Sequence, residues 1–209
     1  MKLDKELLLE KARELLREEA LNYVTEADAI APEVVGIKLF EDPIIGVADV
    51  DDELFEKLKE EGVIGPHYLT AKDWMPEGKR VVSFFLPYSE DVKKGNRPAW
   101  DGNPPPHMVH GRVQGQKCIN SWADKVVDFV RAQGFKALIP MEDKRFEHYL
   151  TPKEEGAKCF TSNWSERHTA YICGLGSFGI HKGIITEKGM AGRFGSIILK
   201  ADVPADPRP

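Results

Sequence analysis

The chain has 209 residues, of which 42% are hydrophobic and 30% charged, and this length predicts one large domain or two small ones. Its formal net charge of −5 argues against a general nucleic-acid or membrane-surface binder, because such proteins carry a basic excess. The three cysteines, Cys118, Cys159 and Cys173, form no C-x-x-C motif, which excludes zinc ribbons and ferredoxin-type clusters from this sequence.

The first part of the chain predicts two helices and two strands. Residues 3–20 carry leucines and alanines at helical spacing against a charged background, which predicts an amphipathic helix. The apolar run 44–48 predicts a buried strand, and residues 51–61 predict a helix that stops at a glycine. The segment 80–88, RVVSFFLPY, is rich in β-branched and aromatic residues and predicts the strongest strand of the chain.

Prolines and glycines punctuate residues 90–116, which predicts a long irregular loop. Long loops inside compact domains often act as lids or binding loops. Residues 100–112 are therefore a candidate lid over a site.

The second half predicts further helices and strands in loose alternation. Helices are expected at 120–133 and 163–173, and strands at 135–139, 183–186 and 194–203. The tail is polar and rich in proline, which is typical of a linker. Loose alternation predicts an α/β or α+β fold, with a mixed sheet covered by helices.

The segment from Gly174 to Gly179 matches G-x-G-x-x-G. A dinucleotide-binding fold needs a strand before these glycines and a helix after them, whereas the predicted order here is the reverse, which excludes that fold. Two interpretations stay open. The glycines allow another body to approach the backbone closely, or they cap a helix before a tight turn.

Glu166, Arg167 and His168 lie one helical turn before Tyr171, and residues three or four apart share a helix face. Arg167 is a candidate holder of a carboxylate or phosphate, and His168 a candidate proton carrier near neutral pH. The alternative interpretation is a surface Glu/Arg pair beside a half-buried histidine.

Other candidates carry a weaker signal. His107 and His110 have a spacing found in metal sites, but a third ligand is missing, and no metal site is predicted. Cys173 is expected to be a small buried thiol. The sequence has no G-x-S-x-G or P-loop motif. It has no signal sequence and no apolar run of the roughly 18–20 residues that span a bilayer, so a cytoplasmic location is expected.

A family resemblance rests on the run SERHTAYICGLGSFGIHKGIITEKGMAGRFGSIIL. It resembles the signature block of the epoxyqueuosine reductase-like proteins, which also occurs in corrinoid-dependent reductive dehalogenases. The positions in or close to register are Glu166, Arg167, His168, Ala170, Gly174, Leu175, Gly176, Gly179, Gly183, Ile185, Thr186, Gly189, Arg193 and Gly195. The strand RVVSFFLPY and the segment 112–140 are also similar to segments of that family, so the resemblance spans about residues 75–203.

The resemblance implies a nitroreductase-like three-layer sandwich, with a central mixed sheet flanked by helices. It implies one corrinoid-binding domain over residues 1–203, with a lobe at 1–75 and a core at 76–203, followed by a linker at 204–209. The residues that it assigns to a cobalamin cofactor are Gly174, Leu175, Gly176, Ser177, Phe178, Gly179 and Lys182. The residues that it assigns to catalysis, as anion holder and proton donors, are Arg167, His168 and Tyr171.

The resemblance also implies a reductase acting on a small molecule, with electrons from a ferredoxin-like [4Fe–4S] segment in cis or in trans. It allows a homodimer, while nucleic-acid and membrane partners are not expected. The sequence departs from the family in three ways. The cluster cysteines are missing, and no Asp stands shortly before the glycines, where the family has an acidic proton donor. Where the family has Lys-Asn after the last loop glycine, this sequence has Ile180, His181 and Lys182. Three alternatives remain: a non-catalytic corrinoid or redox-partner binding module, a flavin-binding nitroreductase-like protein, and a fold without ligand.

Overall fold

A computed structural model describes residues 3–97, 102–152 and 158–208. The helices are α1 Lys5–Arg17, α2 Glu53–Lys57, α3 Ala71–Trp74, α4 Glu90–Gly95, α5 Pro106–Ala132 and α6 Glu166–Ile172. The strands are β1 Ile44–Asp49, β2 Arg80–Pro87, β3 Ala137–Leu138, β4 His148–Pro152, β5 Lys158–Ser162, β6 Gly176–Phe178, β7 Ile184–Thr186 and β8 Gly192–Leu199. Every strand predicted from the sequence has a counterpart here, with shifts of a few residues at its ends.

The central sheet has the order β1-β2-β8-β3, and each neighbouring pair in it is antiparallel. The predicted mixed sheet is therefore wrong for this sheet, while the α/β class is confirmed. Composition shows that β2 and β8 are buried strands, but it carries no information on the direction in which they run. Two further pairs, β4–β5 and β6–β7, are antiparallel hairpins outside this sheet.

Helices cover both faces of the central sheet. Side chains along a strand alternate between its faces, and in β2 Val82, Phe84 and Leu86 join one core cluster while Val81 and Phe85 join clusters on the other side. The first cluster includes the buried faces of α1 and α5, and the others include α6. Burial on both sides explains why β2 is apolar at almost every position.

Helices α4 and α5 together replace most of the predicted irregular loop at 90–116. Proline is favoured in the first turn of a helix, where its missing N–H has no partner to lose, and α5 begins at Pro106. Its glycines are sites of close packing rather than breaks. A Cβ on Gly111 would lie 3.1 Å from the Tyr88 ring, and one on Gly115 would lie 2.9 Å from the Phe40 ring. The candidate lid at 100–112 is corrected accordingly: 106–112 belong to α5, and Trp100 and Asp101 lie outside the described residues.

The segment 204–208, predicted as a linker, packs against β1. The Asp206 backbone N–H donates to the Val47 carbonyl at 2.7 Å, and the Val47 N–H donates to the Asp206 carboxylate at 2.9 Å. Lys5 of α1 forms an ion pair with the same carboxylate at 2.6 Å. In the part of the chain that is described, no helix combines the length and apolar character needed to cross a membrane.

Candidate functional site

Helix α6 carries the residues singled out from the sequence, and local chemistry sets its ends. The hydroxyl of Ser165, at the N-cap position, makes no bond to the helix backbone and instead lies 2.7 Å from His168 Nδ1. At the other end Gly174 adopts a φ of +79°, and Leu175 N–H donates to Ala170 O at 2.9 Å. This closure with a left-handed glycine confirms Gly174 as the cap of the helix.

The Glu166 carboxyl is buried, which corrects the interpretation of a surface Glu/Arg pair. Neither of its oxygens has a hydrogen-bond partner among the described residues. The nearby Trp164 Nε1–H donates to Ser196 Oγ at 2.9 Å rather than to the carboxyl. Burial raises the pKa of Glu166 to about 7, and the neighbouring Ser196 and Trp164 act in the opposite direction. Near neutral pH this carboxyl therefore exists in both protonation states.

Two buried hydroxyls, on Tyr68 and Thr169, also have no hydrogen-bond partner in the described part of the chain. Burial raises the pKa of Tyr68 well above its usual range, the charge on Glu166 adds to this rise, and the neighbouring Thr169 hydroxyl acts in the opposite direction. Buried polar atoms are usually paired with protein or water. Unpaired oxygens on neighbouring side chains indicate a place where a ligand or water makes the missing bonds.

A cavity of about 400 Å³ opens beside this group, and we call it the α6 cavity. Its wall includes Glu166, Arg167 and His168 from α6, together with His67, His148 and Phe160. Burial lowers the pKa of His168, with a further contribution from the positive charge of Arg167. The cavity thus combines a buried acid, a histidine favoured in its neutral form and a guanidinium.

The glycine segment lies beside a different cavity, of about 590 Å³, which we call the glycine cavity. Gly174, Leu175, Gly176 and Ser177 form part of its wall, with α1 and β1 on the other side. The space in which a Cβ on these glycines would lie is already occupied by the protein's own atoms. A Cβ on Gly176 would lie 2.2 Å from Ile185 O, one on Gly174 would lie 2.5 Å from Pro207 O, and one on Gly179 would lie 2.7 Å from the His181 ring.

The β6–β7 hairpin returns part of the predicted cofactor segment to α6. The Phe178 ring centroid lies 5.2 Å from that of His168 and 5.8 Å from that of Tyr171. Lys182 has a φ of 62° in the turn, and its carbonyl accepts a hydrogen bond from Arg167 at 2.9 Å. The structure therefore brings together five predicted residues: Arg167, His168, Tyr171, Phe178 and Lys182. It separates Gly174 to Ser177 from the α6 cavity.

The weaker candidates have structural roles. The buried His110 ring accepts from Ile30 N–H and contacts Gln114 Oε1 at 2.9 Å, and the His107 ring packs on Gly95. Within the described residues no three His, Cys, Asp or Glu side chains are grouped as a metal site. The Cys173 thiol is buried, as expected, and burial raises its pKa.

Two acids of this region were missed as functional residues. Glu142, in the turn after β3, shares a small cavity of about 60 Å³ with Glu166. Burial and the neighbouring Asp124 raise the pKa of Glu142 to about 7. For Glu166 the sequence supplies the spacing but not the burial. Glu166 stands three and four residues before Thr169 and Ala170, and their burial in the structure shows that this helix face packs inward.

Two solved structures similar to this chain are epoxyqueuosine reductases. One, determined with an epoxyqueuosine-modified tRNA-Tyr stem loop, has a TM-score of 0.53 and 15% identity and covers 98% of this chain and 47% of that one. A selenomethionine-labelled epoxyqueuosine reductase has a TM-score of 0.53 and 17% identity and covers 98% of this chain and 48% of that one. A scan against protein-family models and a search of the curated proteins gave no match.

The chain spans about half the length of these two proteins. At this level of identity the likeness shows the fold alone. The resemblance drawn from the sequence is thus confirmed as a similarity of fold, while cofactor, substrate and partners stay predictions.

Proposed function

We propose that this chain is the substrate-binding domain of a reductase of the epoxyqueuosine reductase type, and that a small molecule reacts in the α6 cavity. The observation that carries the proposal is Glu166, a residue on the wall of that cavity whose carboxyl is buried and without a partner in the described residues. Strongly perturbed acids in clefts are characteristic of sites that transfer protons. The fold similarity supplies the reaction class.

The chemistry of a reduction assigns roles to the residues of the cavity. Adding two electrons to a substrate bond also consumes two protons. Glu166 donates one of these protons to the substrate and is then reprotonated from solvent. Solvent also supplies the second proton. Its pKa near 7 matches such a role, because an acid works best when its pKa lies near the working pH. Arg167 holds an anionic group of the substrate, and the neutral His168 orients it by a hydrogen bond.

The electrons come from a low-potential donor outside the described residues. An iron–sulfur donor in cis or in trans is the class that the sequence resemblance implies. The same resemblance implies cobalamin as the resident cofactor.

The residues described here do not fit an enclosed corrinoid. Cavities of 400 and 590 Å³ suit drug-sized molecules, for which pockets of about 300–1,000 Å³ are usual, and a corrinoid is much larger than these. The Cβ positions of the glycines are occupied by the protein itself, so the segment forms no cradle for a macrocycle. A corrinoid would have to lie across the open side of the glycine cavity, and no step of the reaction is assigned to it.

The proton-donor role is tested by infrared spectroscopy of the purified protein. We expect carboxylic-acid C=O absorption at pH 6 that is largely lost by pH 8 and is weaker in Glu166→Gln, in which Glu142 still contributes. Glu60→Gln removes an exposed carboxyl and serves as the matched control, which should keep the band. A spectrum in which Glu166→Gln leaves the band unchanged contradicts the proposal.

The redox group is identified by titrating the protein separately with cobalamin and with flavin mononucleotide while the visible spectrum is recorded. A saturable shift with cobalamin would show that a corrinoid lies across the open side of the glycine cavity, against the poor fit described above. A shift with flavin alone would favour flavin as the redox group, and no shift with folded protein, which the cavity volumes lead us to expect for cobalamin, would mean that this chain by itself holds neither group.

A further inference from the structure

A strongly basic cavity lies away from α6, between α1, the segment before β1 and α4. Its volume is about 680 Å³, and we call it the basic cavity. The charged side chains on its wall are Arg13, Arg17, Lys38, Glu41, Asp42, Lys93 and Lys188. Five cations thus face two carboxylates, in a chain whose formal net charge is −5. Such a local reversal of sign attracts anions.

Most of these charges are already paired. Arg17 pairs with Asp42, Lys38 pairs with Glu41 at 2.8 Å, and Lys93 pairs with Glu90 outside the wall. Arg17 lowers the pKa of Asp42, and the positive charges of Lys38 and Arg13 contribute to the same effect. Asp42 is therefore ionised, and it already forms an ion pair with Arg17. This leaves two cations, Arg13 and Lys188, without an ion-pair partner among the described residues.

Arg13 provides an independent sign of a missing ligand. Its Nε is buried and has no hydrogen-bond partner in the described part of the chain. A buried N–H of a charged group normally donates to an acceptor, because leaving it unpaired costs the full desolvation of that group. Neither carboxylate on the wall accepts from this atom. Arg13 lines both the basic cavity and the glycine cavity, and the surplus of positive charge favours the basic cavity as the place of the missing acceptor.

We propose that the basic cavity binds a small phosphate-bearing molecule, with Arg13 and Lys188 as its principal contacts. Two surplus cations match the two negative charges of a phosphate or phosphate ester. A guanidinium presents a planar set of N–H groups that suits phosphate oxygens, and Lys188 adds a point charge. The volume suits a small molecule. This site is separate from the α6 cavity and does not rest on the proposed reductase function.

The test is isothermal titration calorimetry of the full chain with inorganic pyrophosphate, in phosphate-free buffer of low ionic strength. We expect saturable binding that weakens as salt is added, because exposed charges are screened. Arg13→Gln and Lys188→Gln should each weaken binding by about tenfold or more. Lys57→Gln removes an equal charge from exposed α2 and should leave the affinity unchanged.

Three outcomes would overturn the proposal. They are no saturable binding at millimolar pyrophosphate, an equal loss of affinity in Lys57→Gln, and equally tight binding of citrate, a tricarboxylate of similar charge. Arg13 lies on a helix that contributes to the core, so Arg13→Gln is interpreted only if its circular dichroism matches that of the wild type. Lys188 is exposed in a turn, and Lys188→Gln keeps the test decisive if Arg13→Gln misfolds.

Discussion

The Glu166 carboxyl is buried, and neither of its oxygens has a hydrogen-bond partner in the described residues. Burial therefore favours its protonated form and raises its pKa from 4.5 to about 7. The folded state then binds a proton at pH values where the unfolded chain has lost it. Stability from this group is present at acid pH and is lost as the pH rises through about 7.

Glu166→Gln should remove this dependence on pH. Glutamine keeps the shape of the protonated acid and never ionises. At pH 5, only half a unit above the unfolded pKa of 4.5, the variant should therefore exceed the wild type in free energy of unfolding by less than about 1 kcal/mol. At pH 8 it should be the more stable protein, by up to roughly 3 kcal/mol, since each pKa unit corresponds to about 1.4 kcal/mol. Urea denaturation at both pH values measures this difference, and contributions of other groups, including Glu142, cancel in the comparison.

Glu60→Gln is the control for this measurement, because Glu60 is an exposed carboxyl in the segment after α2. It should track the wild type at both pH values. A Glu166→Gln variant that is equally destabilised at pH 5 and pH 8 would show that the ionised carboxyl makes stabilising contacts, against the buried state described above.

Part of the candidate site could be predicted from the spacing of individual residues in the sequence. Spacing correctly placed Glu166, Arg167, His168 and Tyr171 on one short helix. It did not show which of them is buried, because that depends on how α6 rotates against β2 and β8. A charged residue next to an arginine suggests a surface pair, and only the burial of Thr169 and Ala170 shows that Glu166 points inward.

At the scale of elements, the β6–β7 hairpin allows a packing role of the glycine segment to be tested apart from a ligand-binding role. If Gly176 is needed for packing, its replacement by alanine should destabilise the fold without any ligand present. The added Cβ would lie 2.2 Å from Ile185 O, a backbone atom of the paired strand, so the hairpin must deform. We expect Gly176→Ala to lower the free energy of unfolding by about 1–3 kcal/mol, as overpacking usually does.

Gly183→Ala is the matched control in the same hairpin. Its Cβ would meet the exposed His181 ring at 3.0 Å, and a side chain on the surface can move aside. Chemical denaturation should show little change for this variant. Equal stability of Gly176→Ala and the wild type would instead mean that the strand accommodates a methyl group, which would reopen a ligand-binding role for Gly176.

Helix α5 shows why some elements escape prediction. Glycine and proline favour turns in an isolated chain, and the segment before 116 is rich in both. In the fold, Gly111 and Gly115 face the rings of Tyr88 and Phe40, so a lack of side chain becomes an advantage in packing. Trp122, in the later part of the helix, donates to Ala12 O at 2.8 Å and fixes α5 against α1. Such tertiary contacts override local propensity.

At the scale of the whole molecule, β1 is at one end of the central sheet. Its apolar composition was sufficient to predict a buried strand, but the neighbour of its outer edge is more than 150 residues away in sequence. Residue Asp206 exchanges two hydrogen bonds with Val47 there and pairs with Lys5 of α1. A polar, proline-rich tail predicts a linker, because composition does not reveal that its backbone completes an open edge.

Deletion of residues 204–209 should therefore weaken the fold and expose the edge of β1. Two lost hydrogen bonds at about 1 kcal/mol each, with small terms for the partly exposed ion pairs Lys5–Asp206 and Arg208–Asp52, predict a loss of about 2 kcal/mol or slightly more in urea denaturation. Unpaired strand edges also promote association between chains, so light scattering should detect more self-association than in the wild type. Asp206→Asn keeps an acceptor for the Val47 N–H and removes only the charge, and it should cost less than half as much. If the deletion changes neither stability nor association, the contact between the tail and β1 does not contribute to the fold.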